Sequence, residues 1–285
     1  MRSSLRWFVA SLAMIVGLAW LACSHRDDPT PRTSAAGAAR IVTLSPSATE
    51  VVAALGATSE LIGVDDYSTF PPEVAALPKV GQFLSPNLEA IVKLAPTLVI
   101  VDDIHGATAG ALADAHIATL ACPVHTLRDV KAALAKVGDA IGRQSQAAAA
   151  IASIDRALDD AAAHRPAVHP RVLVVLDREA GGLGGLVAAG TGSYVDELLA
   201  VIGGDNIVAA AGVAYPKISL EEVLRGAPDV ILDLSFAGKQ SAAAWAGVDV
   251  PAVRAGRVRV LDQPYVIAPS PRVPLALATL AAALH

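Results

Sequence analysis

Residues 87–102 read NLEAIVKLAPTLVIVD, and residues 219–233 read SLEEVLRGAPDVILD. At a constant offset of 132, Leu88/Leu220, Glu89/Glu221, Ala95/Ala227 and Pro96/Pro228 are identical, and Lys93/Arg225, Ile91/Val223 and Leu98/Val230 are conservative. Each copy carries the same physical instructions. Asn87 or Ser219 offers a side-chain oxygen to cap a helix, and the acid two places on falls in the first turn, where the helix dipole favours it. The helix is short and stops before Ala-Pro, because proline cannot continue it. The run of Val, Ile and Leu that follows predicts a strand buried on both faces.

The repeat extends upstream. Arg40 opens IVTL and Arg171 opens VLVVL, both strand-like. Each leads through a loop to a helical stretch, residues 50–56 (EVVAALG) and 197–203 (ELLAVIG), and each stretch ends at glycine, a usual stop. Strand, loop, helix, strand, helix, strand therefore occurs twice. The predicted fold is α/β: two Rossmann-like lobes, residues 40–142 and 167–285, with a crevice between them where a small molecule fits. Residues 143–166 join them. Within this segment Ala147, Ile151, Ile154 and Leu158 recur at helical spacing. A helix over residues 144–165 spans about 30 Å, the width of a lobe, and predicts a lone stiff strut between two separate compartments.

The 285 residues are 54% apolar and 17% charged, a globular composition. Net charge is −5 with no Lys/Arg stripe, which excludes a nucleic-acid partner. At the start, Arg2 and Arg6 precede an apolar run over residues 7–21, which meets Ala22-Cys23 and turns polar at once. About twenty apolar residues would be needed to span a membrane, so residues 1–23 read as an export signal. Cys23 resembles a lipobox cysteine, with Trp20 where Leu is usual. Lipidation there would anchor the chain to a membrane surface, the alternative being cleavage near Ala22 with an incidental thiol. Residues 24–39, rich in Pro, Thr, Ser, Ala and Gly, form a tether. Cys122 is the other cysteine, so no disulfide framework is expected.

Residues 40–50 (RIVTLSPSATE), 61–64 (LIGV), Pro71-Pro72 and Asn87-Leu88-Glu89, followed by 203–207 (GGDNI), Ser219-Leu220-Glu221 and Ser270-Pro271-Arg272, closely resemble the helical-backbone receptors for cobalamin and iron complexes. These are the substrate-binding proteins of bacterial ABC importers (class III solute-binding proteins), and the cobalamin-binding members are the most similar. The resemblance runs from about Arg40 to the C-terminus. It implies two lobes on one long helix, small movements on binding, and a monomer in the periplasm or cell envelope. The implied partners are an ABC permease with its ATPase. The implied ligand is cobalamin, with haem or a ferric siderophore as alternatives. Glu89 and Glu221 match the two family glutamates that meet arginines of the importer, one on each lobe. By position Tyr67, Phe83, Tyr215 and Tyr265 match ligand-contact sites, the last three standing where the pattern has tryptophan, and Asp102 or Asp103 stands where another tryptophan would be.

Several of the eight aromatics beyond residue 23 (Tyr67, Phe70, Phe83, Tyr194, Tyr215, Phe236, Trp245 and Tyr265) sit in loops beside proline. A loop aromatic offers large, flat contact at small entropic cost. His105, just after Asp102-Asp103 at a strand end, is placed to reach a ligand. His116, His125, His164 and His169 show no metal-ligand spacing such as HxH or HExxH, so no metal site and no resident cofactor are expected. An enzyme with a cleft active site is the rival class. Its one motif, Gly181-Gly182-Leu183-Gly184-Gly185, lacks the third glycine of GxGxxG because Val187 holds that place. It reads better as a loop lining the cleft.

Overall fold

The computed structural model describes residues 39–235 and 242–284. The export signal, Cys23, the tether up to residue 38 and Phe236 lie outside the described residues.

The first half builds β1 (Ile41–Thr43), α1 (Pro46–Ala54), β2 (Leu61–Val64), a hairpin of β3 (Gly81–Gln82) and β4 (Ser85–Pro86), α2 (Leu88–Lys93), β5 (Leu98–Val101), α3 (Gly106–Asp114), β6 (Thr119–Ala121) and α4 (Leu127–Ala140). A single long helix, α5 (Gln144–Ala163), follows. The second half adds β7 (Arg171–Asp177), β8 (Val187–Ala188), α6 (Tyr194–Val201), β9 (Asp205–Asn206), α7 (Leu220–Gly226), β10 (Val230–Asp233), α8 (Pro251–Arg254), β11 (Val258–Val260), α9 (Pro264–Ile267) and α10 (Val273–Leu284).

The first sheet has the order β2-β1-β5-β6, all parallel. In the second, β7 pairs in parallel with β9 on one side and β10 on the other, and β10 pairs with β11. The orders β2-β1-β5-β6 and β9-β7-β10-β11 are thus one plan built twice. The second copy adds β8, antiparallel to the C-terminal half of β7.

The repeat is visible down to single dihedrals. Ser45 caps α1 through its side chain, and Ser193 does the same for α6. Past their C-caps, Gly56 (φ 70°) and Gly203 (φ 82°) take the left-handed conformation that glycine adopts without strain. Asn87 and Ser219 cap α2 and α7 as the sequence predicts. After those helices Ala95 (φ 47°) and Ala227 (φ 41°) are also left-handed. Each precedes a proline, which disfavours the right-handed helical region for its neighbour.

Each sheet has a private core on one face. Val42, Leu44, Val99, Val101, Ile91 and Leu112 form it in the first lobe; Leu173, Val175, Ile231 and Trp245 form it in the second. On their other faces the two lobes share one buried cluster. It runs from Ile41, Val51 and Val137 through Ala147 and Ile154 of α5 to Val172, Leu198, Leu277 and Leu280. Two α/β lobes joined by one long helix are what the structure shows. Helix α5 packs against α4 of the first lobe and α10 of the second, so it is a wall common to both. Periodicity had fixed which face of α5 is apolar, but not that neighbours from both halves would cover it.

Candidate functional site

In parallel α/β sheets a crevice for ligands forms beyond the C-terminal ends of the strands. In the first lobe that edge carries a polar cluster. Asp65, fully buried, follows β2; its Oδ2 accepts the Tyr67 backbone N–H at 3.0 Å and its Oδ1 accepts the Ser68 hydroxyl. Ser68 Oγ lies 2.8 Å from Thr49 Oγ1, which lies 2.6 Å from Thr43 Oγ1. Lys79 Nζ donates to the Ser68 carbonyl at 2.7 Å. Burial pushes the Asp65 carboxyl above its ordinary range, and the hydrogen bond from Ser68 only partly opposes this. The loop backbone is clamped while Tyr67 stays 58% exposed.

After β5, Asp102 is buried and caps a short turn by accepting the Asp103 N–H at 2.8 Å. His105 Nδ1 accepts the Asp102 N–H at 2.9 Å, and Nε2 lies 2.6 Å from the Phe83 carbonyl. With Nδ1 accepting, Nε2 is the donor to that carbonyl, so both nitrogens are used inside the chain. The sequence places His105 where it could reach a ligand; in the structure both its ring nitrogens have partners within the chain. It is a buried clamp that holds the β3–β4 turn, with the Phe83 ring edge-on to it at 5.3 Å. From the loop after β6, His125 reaches back, its Nε2 3.3 Å from Asp102 Oδ1 and 3.2 Å from Asp103 Oδ1. Burial raises the Asp102 carboxyl above the usual range; hydrogen bonds from Asp102 and His125 hold exposed Asp103 below it.

In the second lobe the strand ends hold a buried ion pair. Arg178 Nε donates to Asp233 Oδ2 at 2.8 Å, with both side chains at 1% exposure or less. Trp245 Nε1 donates to the same oxygen at 3.0 Å, and Ser235 Oγ to Oδ1 at 2.5 Å. Arg178 also donates to the Gly182 carbonyl at 2.7 Å, fixing the glycine-rich loop. That loop leads from β7 into β8, not into a helix, so it lacks the helix N-terminus that a dinucleotide pyrophosphate needs. Tyr215, also 58% exposed, rides on a segment joined to the β8 side through Ala188 N–H to Pro216 O at 3.0 Å and Gly190 N–H to Ala214 O at 2.8 Å. Any side chain on Gly190 would strike the Val213 carbonyl.

Across the lobes, Arg272 at the start of α10 makes a two-pronged pair with Glu50 of α1, Nε to Oε2 at 2.8 Å and a second bond from Nη2 to Oε1. Its guanidinium lies 4.1 Å from the Phe70 ring centroid and 5.0 Å from that of Tyr265. Tyr265 is half-buried, its hydroxyl 3.2 Å from Thr279 Oγ1. Beside this pair opens a cavity of about 740 Å³, bounded by Phe70, Pro71, Glu73 and Leu77 of the first lobe and Pro271 and Arg272 of the second. A second tie joins the lobes where the Leu127 N–H, at the start of α4, donates to Glu197 Oε2 of α6 at 2.7 Å.

The predicted site residues thus fall into groups. Phe83, Asp102 and His105 meet in one cluster. Tyr265 meets Arg272, Phe70 and Glu50. Tyr67 and Tyr215 stand exposed on loops of opposite lobes. Sequence reasoning missed Arg178, Asp233, Glu50 and His125 as site residues. Glu50 and Arg272 had been noticed only as parts of family motifs. Glu89 and Glu221 are exposed and, among the described residues, their side chains make no hydrogen bond or ion pair. In α7 the capping box is closed by Glu222, whose Oε2 accepts the Ser219 N–H at 2.7 Å, so Glu221 is free of that duty.

Residues 41–265 match the family model described as periplasmic binding protein. The chain is 30% identical over 207 residues to the vitamin B12-binding protein of Salmonella choleraesuis, covering 71% of this chain and 74% of the relative. It is 29% identical over 262 residues to the cobalamin-binding protein of Halobacterium salinarum, covering 86% and 69%. Among solved structures it is similar to the periplasmic heme-binding protein RhuT from Roseiflexus sp. RS-1, with TM-score 0.75, 30% identity, and 87% and 98% coverage. The chain belongs to the periplasmic binding protein family. Its fold is that of the class III members, and its relatives are substrate-binding transport proteins, not enzymes.

Proposed function

We propose that this periplasmic binding protein, the receptor of an ABC importer for cobalamin or haem-type iron complexes, takes cobalamin between its lobes. The observation that carries this reading is the pair of tyrosines, Tyr67 and Tyr215, each 58% exposed on a clamped loop of a different lobe. Two ordered aromatic faces suit a large, flat macrocycle, and they lose little entropy on binding. Phe83 and Tyr265 add apolar wall from either side. The cobalamin-binding names of the relatives support the same ligand. Haem is the second reading, favoured by the heme-binding neighbours at 30% and 28% identity. His105 would not serve as its axial ligand, because both ring nitrogens are engaged. Cyanocobalamin, haemin and a ferric siderophore are each titrated into the protein and followed by melting temperature and visible spectrum. Cobalamin at a hundred times its dissociation constant adds about 2.7 kcal/mol of stability. A shift with haemin and none with cobalamin replaces the first reading by the second.

Delivery runs through Glu89 and Glu221. Each lies at the start of a helix crossing between parallel strands, hence at the rim of its lobe, and neither is used within the chain. Two exposed carboxylates on separate lobes register both halves on a cationic permease surface and steer docking. Replacing both by Ala leaves ligand affinity unchanged and abolishes uptake; normal uptake by the double variant refutes the docking role. Lipid on Cys23 keeps the receptor at the membrane surface, and incorporation of labelled palmitate, lost in Cys23→Ser, tests that anchor.

A further inference from the structure

We propose that Asp102, Asp103 and His125 form a binding site for one divalent transition-metal ion of the Zn²⁺ class, on the rim of the first lobe. This goes beyond the cargo reading and does not depend on it. The three residues come from the loops that follow the adjacent strands β5 and β6, and their donor atoms all lie within 4.8 Å of one another. His125 Nε2 is 3.3 Å from Asp102 Oδ1 and 3.2 Å from Asp103 Oδ1. A tetrahedral ion with bonds of about 2.0–2.1 Å holds its ligand atoms about 3.3–3.4 Å apart. The observed separations are therefore those of a coordination edge. They exceed what a single ring nitrogen can satisfy, since one N–H, or one lone pair, faces two carboxylate oxygens.

The charge and the support also fit. Among the described residues neither aspartate is paired with a Lys or Arg, so a buried and an exposed carboxylate share one imidazole as their only possible cationic partner. A dication neutralises that excess. Asp102 is held in place by the Asp103 N–H, and the His125 backbone is anchored by its N–H to Asp129 Oδ2 at 3.1 Å. One imidazole nitrogen and two carboxylate oxygens favour Zn²⁺, Co²⁺ or Ni²⁺ over the all-oxygen cations Mg²⁺ and Ca²⁺. Asp103 and His125 have side chains 61% and 47% exposed, so the fourth position opens outward, to water or to a donor atom of a bound ligand.

The test titrates Co²⁺ and then Zn²⁺ into the full, cargo-free chain, read by Co²⁺ d–d absorption and by calorimetry. One equivalent should bind, with the intense visible bands of a four-coordinate site that Zn²⁺ then bleaches. Asp103→Asn and His125→Ala each change an exposed group, so both fold. Each weakens binding by about a hundredfold or more, since losing a ligand costs at least as much as losing an outer-shell partner. His116→Ala and His169→Ala leave it unchanged. Absence of stoichiometric binding, or binding that survives in Asp103→Asn or His125→Ala, overturns the site. Cobalamin and haemin titrations are separate measurements, so failure here leaves the cargo reading standing, and the reverse holds.

Discussion

Removing the Asp233 carboxylate should be the most damaging single change at the cleft edge. Asp233 is fully buried and answers three groups: Arg178 at 2.8 Å, Trp245 Nε1 at 3.0 Å and the Ser235 hydroxyl at 2.5 Å. Asp233→Ala leaves the Arg178 guanidinium in the interior without that carboxylate, which costs about 3–5 kcal/mol. The indole N–H loses its acceptor too, a further loss of about 1–3 kcal/mol when taken alone. The two overlap because both lie on one oxygen, so the net loss is about 4 kcal/mol. At about 2–4 °C per kcal/mol for a chain of this size, the melting temperature falls by about 8–16 °C. Urea unfolding followed by circular dichroism measures the loss directly. The decisive comparison is the double variant Arg178→Met/Asp233→Leu. Replacing a whole buried pair by apolar groups is often neutral, so the double variant should regain most of the stability that the single variant loses. A single-variant loss below about 1 kcal/mol, or a double variant as unstable as the sum of the two singles, refutes the claim that the buried charge pair sets the cost.

Three further changes test other parts of the structure. Arg272→Ala breaks the tie to Glu50 and strips a cation from between Phe70 and Tyr265; a loss of about 2–3 kcal/mol is expected from the charge-assisted bonds, and a change within 0.5 kcal/mol, typical of surface substitutions, would rule out a structural role. Because burial holds the Asp65 carboxyl above its ordinary range, the folded protein binds that proton more tightly than the unfolded chain. Its charged form therefore weighs against folding at neutral pH and ceases to do so as pH falls through the raised value toward about 4; the stability of wild type relative to Asp65→Asn should rise on that acidification, and a fall would reverse the sign. Burial also pushes the Cys122 thiol up to about 11, so at pH 8 about one molecule in a thousand is thiolate; peptide-mapped alkylation of Cys122 should be far slower in the native protein than in urea, and equal rates would contradict its burial.

The doubled plan was legible because each copy writes its own punctuation. A capping residue, a first-turn acid, an Ala-Pro stop and an aliphatic run are all local signals, and the structure returns them as α2–β5 and α7–β10 with matching left-handed alanines. Contacts distant in sequence were the main ones to escape. Glu50 and Arg272 are 222 residues apart, and nothing local says that they meet. Arg178 and Asp233 lie at the ends of neighbouring strands, a closeness that exists only after β7 and β10 pair. His125 was set aside for lack of ligand spacing, yet parallel pairing of β5 and β6 brings it to Asp103, 22 residues earlier. His105 shows the opposite case. Its place after two acids suggested availability, whereas the turn geometry had already used both nitrogens.

The shared core bears on how a loaded receptor differs from an empty one. Opening the lobes widely about α5 would split the one buried cluster that joins first-lobe residues such as Val51 and Val137 to second-lobe residues such as Leu198 and Leu277. Exposing an aliphatic side chain of that size costs about 1.5–3 kcal/mol, so three of them cost about 5–9 kcal/mol before the Glu50–Arg272 tie is counted. A state that far uphill is scarcely populated, and no ligand selects it without differential affinity of the same size. Cargo is therefore met by a cleft already close to its bound shape, and on the contact proposed for Tyr67 and Tyr215 their loops supply most of the adjustment. On the docking role proposed for Glu89 and Glu221, the permease then reads a small change in the spacing of two fixed charges. That favours rigid helix starts, where both acids sit, over exposed loops such as those bearing Tyr67 and Tyr215.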